Sequence, residues 1–245
     1  MKAKGYFGYM MLYLLIFLIK GQILCAEQFP TVVEAEVRAV VAAEREGVIS
    51  GMNTDVGDRV KKGGVIAVVY HKDILFEKQQ LQAKQKYFSV QVENLGKLNE
   101  KGMVPNEELA RAQMDKAVNE AQIKLIDTQI GRSTVYAPFS GIAVARHIQS
   151  HEWVRPGQPV VELYDPARLR VVADIPSEIA MKMKTGQVDT LVFPDTGKEV
   201  NAKLKVISPQ VDVRSNTIKV YWSVDPKEGE KGNLIPGMKG VFQWN

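Results

Sequence analysis

Cysteine is almost missing from this sequence. Cys25 is the only one in 245 residues, so no intramolecular disulfide can form and the fold must rest on packing. A long apolar run is missing too: the best, from Tyr6 to Ile19, covers 14 positions before Lys20 stops it, short of the roughly 20 that a spanning helix needs. A large net charge is missing as well, with 32 Lys and Arg against 28 Asp and Glu. The formal net charge is +4, and Lys2, Lys4 and Lys20 fall in a leader without acidic residues, which leaves +1 for the rest. That is no electrostatic footprint for nucleic acid, so no nucleic-acid partner is expected. The signatures of catalysis are absent as well: no Gly-rich loop opening a helix after a strand, no nucleophile elbow, no paired acidic cluster with an obvious cleft. The expectation is a protein that is not an enzyme and holds no cofactor.

What is present begins with the leader. Basic Lys2 and Lys4, the apolar run, and then Gly21, Gln22 and Leu24-Cys25-Ala26 read as a secretory signal peptide over residues 1–26. An uncleaved anchor is the alternative. A lipobox would place Leu and a small residue three and one positions before the cysteine, where this chain has Gln22 and Leu24, which disfavours lipidation at Cys25. Beyond the leader the composition, 45% hydrophobic and 24% charged, is that of a folded chain with one or two modest cores.

The most informative pattern is an internal repeat. Residues 47–69 lie without a gap over residues 141–163, at a shift of 94. Gly47 meets Gly141, Val48 meets Ile142, Asp58 meets Glu152, Val60 meets Val154, Gly63 meets Gly157 and Ile66 meets Val160. Each half reads as a short strand, an acidic turn, a Val-centred strand, a Gly turn and another apolar strand. One such half cannot bury its apolar face alone, so two halves related by a pseudo-twofold should close into one small sandwich. This assigns residues 42–72 and 131–166 to a single domain.

Between the halves, residues 73–130 are rich in Gln, Lys, Glu and Ala and poor in Gly and Pro, which predicts helix. In the first arm Ile74, Leu81, Phe88 and Leu95 recur every seven residues, with Val92 and Leu98 beside that row. The second arm offers Met114, Val118, Ala121, Leu125 and Thr128 at alternating spacings of four and three. Read as seams, these two rows predict an antiparallel coiled coil. Gly102 and Pro105 punctuate it, placing the turn at residues 99–105. Arms of 26 and 25 residues (73–98 and 106–130) would reach roughly 38 Å at 1.5 Å per residue. A rod that thin buries little, so its reach is its plausible use, with the tip offered to a partner. The candidate tip residues are Leu98, Lys101, Met103, Val104, Pro105, Asn106 and Glu107.

After Tyr164-Asp165-Pro166 strands are expected at 168–175, 188–193, 199–207, 217–224 and 238–244, and a short helix at 177–184 capped by Ser177. Lys227 to Lys231 reads as a solvated loop of mixed charge. Short strands with turn signals point to a small antiparallel β-barrel over residues 167–245. Residues 31–41, with no partner in the repeat, should supply it with a further strand. The expected fold is therefore mainly β with an α-helical hairpin: a lipoyl-like β-sandwich interrupted by an antiparallel coiled coil, plus the barrel.

Taken in order, Gly57-Asp58-Arg59-Val60-Lys61-Lys62-Gly63, Ala137-Pro138-Phe139-Ser140-Gly141, Val154-Arg155-Pro156-Gly157, Ile175-Pro176-Ser177-Glu178, Ile207-Ser208-Pro209 and Ile235-Pro236-Gly237-Met238 resemble the membrane fusion proteins, or periplasmic adaptors, of the HlyD-like and resistance-nodulation-division pump type. The resemblance implies a periplasmic subunit at the inner membrane. Its partners would be an inner-membrane transporter (resistance-nodulation-division or ABC type), an outer-membrane channel and further copies of itself in a ring. It also implies that hairpin tips meet the channel and barrels the transporter. Many members continue into a membrane-proximal domain, which is expected here to be absent or minimal. Adaptors of TolC-like channels often carry Arg, Leu and Ser at the tip; the corresponding positions here are Asn94, Leu98 and Pro105, and only the Leu agrees.

Two rival functions have sequence support. Ala180-Met181-Lys182-Met183 spells a biotin attachment motif, but a biotin or lipoyl carrier displays its Lys on the turn between the two half-motifs, and Lys182 follows both. A metal-efflux adaptor could use His71, His147, His151 and methionines, yet strand geometry would not bring His147 and His151 to one side. No metal site is expected.

Overall fold

The computed structural model of the chain describes residues 27–244. The expected signal peptide lies outside the described residues. The chain forms two compact units, one of residues up to Glu36 together with those from Ala167 onward, the other Val37–Pro166.

In the second unit, the two halves of the repeat fold alike. The first half gives strands β3 (Gly47–Met52), β4 (Arg59–Val60) and β5 (Val65–Val69). The second gives β7 (Gly141–Arg146), β8 (Trp153–Val154) and β9 (Pro159–Tyr164), each at the same shift of 94. Two four-stranded sheets result, β2-β9-β7-β4 and β6-β5-β3-β8, with β2 at Arg38–Ala42 and β6 at Thr134–Tyr136. The second sheet is the first with every strand replaced by its repeat mate. Neither half completes a sheet by itself, because the short middle strand of each pairs with the other half: β4 with β7, and β8 with β3. The exchange extends to single bonds. Gly57 N donates to Ala143 O and its mate His151 N to Ile49 O, both at 2.8 Å. Ile49, Ile66, Val69, Val154, Val160 and Leu163 meet in the core with no measurable exposure, each worth roughly 1.5–3 kcal/mol of burial. Gly63 and Gly157, mates in the repeat, both sit at positive φ (76° and 81°), a turn conformation that costs a side-chained residue.

The segment 31–41 departs from expectation. It does not enter the barrel whole: β1 (Glu27–Ala35) does, whereas β2 pairs with β9 in the sandwich, where Arg38 contacts Glu162. Nor is it without a partner in the repeat, since β2 is the mate of β6. Val41 and Val135 correspond at the same shift, and Ala43 and Ala137, both 2% exposed, hold the two copies of one corner. Lacking glycine markers before Gly47, this part of the repeat carries too little identity to be seen in the sequence.

Helices α1 (Lys72–Glu100) and α2 (Asn106–Gly131) leave from β5 and return to β6, and they pack chiefly on each other. The first arm's seam follows the sequence reading, with Ile74 and Leu81 buried and Phe88, Val92 and Leu95 partly so. Leu98 lies off it, 37% exposed. In the second arm the seam is a different row: Leu109, Ala112, Lys116, Asn119, Ile123, Ile126 and Ile130 face the first arm. Met114, Val118 and Leu125 point outward, 58%, 51% and 60% exposed. Spacings of three and four recur on every face of a helix, so periodicity alone could not choose between the rows. The observed seam places β-branched Ile123, Ile126 and Ile130 against the first arm.

In the first unit, β1 joins β10 (Leu169–Pro176), β11 (Val188–Phe193), β12 (Lys198–Asp212), β13 (Thr217–Val224) and β14 (Lys239–Trp244) in a closed six-stranded barrel of order β1-β10-β13-β12-β11-β14. Alternation along each strand sends Val33, Val171, Leu191, Phe193, Leu204 and Trp222 inward, none more than 1% exposed. Trp222 satisfies its buried indole by donating Nε1–H to Asp189 Oδ2 at 2.7 Å. Strand β12 runs five residues past its expected end through two register shifts. Helix α3 is only Ser177–Ala180, with Pro176 rather than Ser177 at its N-cap. The expected mixed-charge loop is instead helix α4 (Pro226–Gly232). Asp225 caps it by accepting from Lys227 N, Pro226 occupies the first turn, and Asn233 closes it in the left-handed region.

Candidate partner-binding tip of the helical hairpin

The hairpin is anchored at its root. Val69 N donates to Ser133 O at 2.7 Å, Tyr70 N to Val48 O at 2.8 Å, and Arg45 Nη1 to Ser133 Oγ at 3.0 Å. Buried Ser133 in turn donates to Gln129 O at 3.0 Å, tying the end of α2 to the sandwich. From that root α1 runs 29 residues, about 44 Å at 1.5 Å per residue.

Polar pairs fix the register of the arms. Lys78 meets Asp127 at 2.7 Å, Gln85 Nε2 meets Glu120 at 2.7 Å, and Asn99 Nδ2 meets Asn106 Oδ1 at 2.8 Å. In each pair the two residue numbers add to 205, so the arms run level from root to tip. Midway, buried Asn119 donates to Leu81 O at 3.0 Å and Gln85 Oε1 at 2.7 Å.

The tip is a built turn. Gly102 N donates to Asn99 O at 2.8 Å and Met103 N to Leu98 O at 2.9 Å, the paired bonds that end a helix through a left-handed residue. Gly102 takes that place at φ 67°. Asn99 Nδ2 also reaches Val104 O at 3.0 Å, and extended Pro105 starts α2. Glu107 and Glu108 lie in the first turn, where the helix dipole favours negative charge. The structure thus brings Leu98, Lys101, Met103, Val104, Pro105, Asn106 and Glu107 together at one end of the hairpin. Met103 is 68% exposed, and Val104 is half-buried under the turn. The set is preorganised, apolar at its centre and charged at its margins. Within this set no nucleophile and general base stand side by side.

The rival residues sit elsewhere. Lys182 lies in the barrel unit in the turn after α3, donating its backbone N–H to Ile179 O at 2.9 Å. His71 precedes α1 with Nδ1 2.9 Å from Val69 O, and His147 and His151 belong to the loop between β7 and β8. Among the described residues no three His, Cys, Asp or Glu side chains gather as a metal site would require. A 180 Å³ pocket on the barrel holds Glu36, Arg170, Lys205 and Tyr221, but its charges are already matched. Arg170 meets Glu34 at 2.8 Å and lies 5.0 Å from the Tyr221 ring centre, while Lys205 meets Glu36 at 2.6 Å and holds that carboxyl below its ordinary range. Sequence periodicity does not reveal the outward row of α2, since Met114, Val118 and Leu125 repeat at the spacing of a seam yet are exposed.

Comparison with known proteins places this geometry. No protein-family model matches the chain. It is 26% identical over 206 residues to an uncharacterised protein of Haemophilus influenzae, and 22% identical over 210 residues to the nickel-cobalt-cadmium resistance protein NccB of Alcaligenes xylosoxydans xylosoxydans. These matches cover 82% and 80% of this chain. The chain spans about half the length of these relatives, 52% in each case. Among solved structures, a MacA–MexA chimera carrying the Pseudomonas aeruginosa MexA α-hairpin superposes with a TM-score of 0.75 at 18% identity, covering 89% of this chain and 82% of that one. The membrane fusion protein Spr0693 of Streptococcus pneumoniae R6 gives 0.71 at 18% identity, covering 89% and 99%. The fold is that of membrane fusion and periplasmic adaptor proteins. Among the described residues no helix is long and apolar enough to cross a membrane.

Proposed function

We propose that the chain is a periplasmic adaptor subunit of a multicomponent efflux or secretion pump, linking an inner-membrane transporter to an outer-membrane channel. The observation that carries this reading is a sandwich completed only by both halves of an interrupted repeat, from which a level, thinly packed hairpin runs to an ordered, exposed apolar turn. Three buried side chains, Ile74, Leu81 and Ile126, centre the hairpin's main cluster, at most roughly 5–9 kcal/mol of burial for more than fifty ordered residues. Such an element adds little to the core, and its value lies at the far end.

In this reading the barrel unit faces the transporter, the tip docks on the channel, and the chain works in the periplasm at the inner membrane. It acts without catalysis, by completing a conduit whose energy the transporter supplies. A carrier role loses its support because Lys182 is not on the turn between the half-motifs.

The test places Asp at both Leu98 and Val104. Neither side chain belongs to a domain core, so the thermal midpoint should move by no more than about 2–4 °C, the effect of roughly 1 kcal/mol on a chain of this size. A photo-crosslinker at Met103 should capture an outer-membrane protein in the unaltered background and lose it in the double variant, with export lost in parallel. Undiminished capture, or unfolding of the double variant, would remove the tip from the partner interface.

A further inference from the structure

The six seams of the barrel are unequal. Five carry between five and seven facing residue pairs each, whereas β11 and β14 share two, Leu191 with Phe242 and Val192 with Val241. The same register would set Thr190 opposite Gln243 and Asp189 opposite Trp244, but the ladder stops short of both. Side chains hold this seam instead. On one side of the two pairs the Phe193 ring packs over Gly240, where a Cβ would stand 2.7 Å from it. On the other, Asp189 reaches buried Trp222 and accepts its Nε1–H at 2.7 Å. Beneath the seam lies Thr31, the ladder partner of Gly240 on β1, with Oγ1 also 2.7 Å from that Cβ position. Thr31 has no exposure, and its hydroxyl finds no hydrogen-bond partner among the described residues, the only such side-chain atom in the barrel unit. A buried unpaired hydroxyl costs the closed state and is relieved when water reaches it. The seam with the fewest backbone pairs therefore also adjoins a group that gains from opening.

We propose that the barrel opens at this one seam, β11 parting from β14 while the other five ladders stay closed. Local opening follows the boundary whose release breaks the fewest contacts, and stability differs from one part of a fold to another for that reason. A closed barrel has no strand edges. Opening here restores two, β11 over Val188–Phe193 and one side of β14 over Lys239–Trp244. The opening itself is argued from the barrel alone. Its use rests on the adaptor reading: the unit that faces the transporter is then a ring with a catch, able to widen as its partner moves, and the unpaired Thr31 hydroxyl keeps the catch weak.

The test is amide hydrogen exchange in the full chain, followed residue by residue. Amides that bridge the seam, among Leu191, Val192, Val241 and Phe242, should exchange about tenfold faster than those of β10 and β13. Thr31→Val, which removes the unpaired hydroxyl and keeps the shape, should slow that exchange about fivefold, and Asp189→Ala, which strands the indole, should hasten it about tenfold, with β10 and β13 unchanged. Val192→Cys with Val241→Cys, in a Cys25→Ser background, sets two thiols on facing strands within reach of a disulfide. Oxidised, this pair should bring Leu191 and Phe242 to the rate of β10, and reduction should restore the difference. Seam exchange no faster than that of β10 and β13 in the unaltered chain would overturn the proposal, as would a β1–β10 seam that opens first or faster exchange in Thr31→Val. If Asp189→Ala does not fold, Thr31→Val and the crosslink still decide. Export and capture from Met103 separate this inference from the adaptor reading. The oxidised chain should keep capture and lose export, with export returning on reduction. Export undiminished by the crosslink would show an adaptor that works with a closed barrel, and the proposed use would fall. Loss of capture in the unaltered chain would remove the adaptor reading and leave the exchange result standing.

Discussion

His151 sits at φ 72°, in the region that a side-chained residue occupies at a cost, and its mate in the repeat is Gly57 at φ 92°. Both are exposed, and a Cβ at Gly57 would meet nothing within 4 Å, so exchanging them isolates the backbone. Left-handed geometry costs a non-glycine residue about 1–2 kcal/mol, against about 0.5–1 kcal/mol for the greater freedom glycine loses on folding. His151→Gly should therefore leave stability unchanged or raise it by up to about 1 kcal/mol in denaturant unfolding, and Gly57→His should lower it by about 1 kcal/mol. A marked loss in His151→Gly would show that the imidazole itself is needed. The same pair explains part of what the sequence made legible. The repeat could be read from Gly63 and Gly157 because a shared backbone demand left a shared residue, whereas His151 hides an identical demand behind a different side chain.

The hairpin shows where legibility ended. Helix, turn and first-arm seam follow from composition, from Gly102 and Pro105, and from the seven-residue row of Ile74, Leu81, Phe88 and Leu95. The second arm carries two rows of equal spacing, and only the partner helix selects one, so the choice is tertiary. Its seam also admits Asn119, a polar residue that apolar periodicity excludes by construction. Asn119 holds Leu81 O and Gln85 Oε1, and a buried Asn at such a position characteristically fixes register at some expense of stability. Asn119→Ala should lose about 1 kcal/mol. In hydrogen exchange this should appear as roughly fivefold faster opening of residues 81–85 and 119–123, with protection of the sandwich strands unchanged. Equal acceleration in the strands would mean that hairpin and sandwich open as one unit. The tip residues were legible as a turn, but nothing in a single sequence marks them as a binding surface. Their ordering through Asn99 and the Gly102 closure is visible only in three dimensions.

For the molecule as a whole, the interrupted repeat makes a strong claim about independence. Strands β5 and β6 are hydrogen-bonded neighbours, with Val68 opposite Thr134, so the two ends from which the hairpin leaves are already one strand spacing apart, about 5 Å. A short turn containing Asn-Gly could join them. The sandwich core is complete without the helices, since its buried cluster draws only on residues outside them. Replacing residues 71–132 by such a turn should therefore remove most of the helical signal in circular dichroism and abolish tip capture. The remaining strands should still unfold cooperatively, with a stability within about 1–2 kcal/mol of the parent; the lost Ser133–Gln129 contact at the root accounts for that margin. If the excised chain failed to fold, the helices would be structural members of the sandwich, and the argument from thin packing to reach would lose its premise. If it folds and binds no outer-membrane protein, the division of labour follows from the sequence order itself: two β halves that need each other, and between them an insert whose far end is free to meet something else.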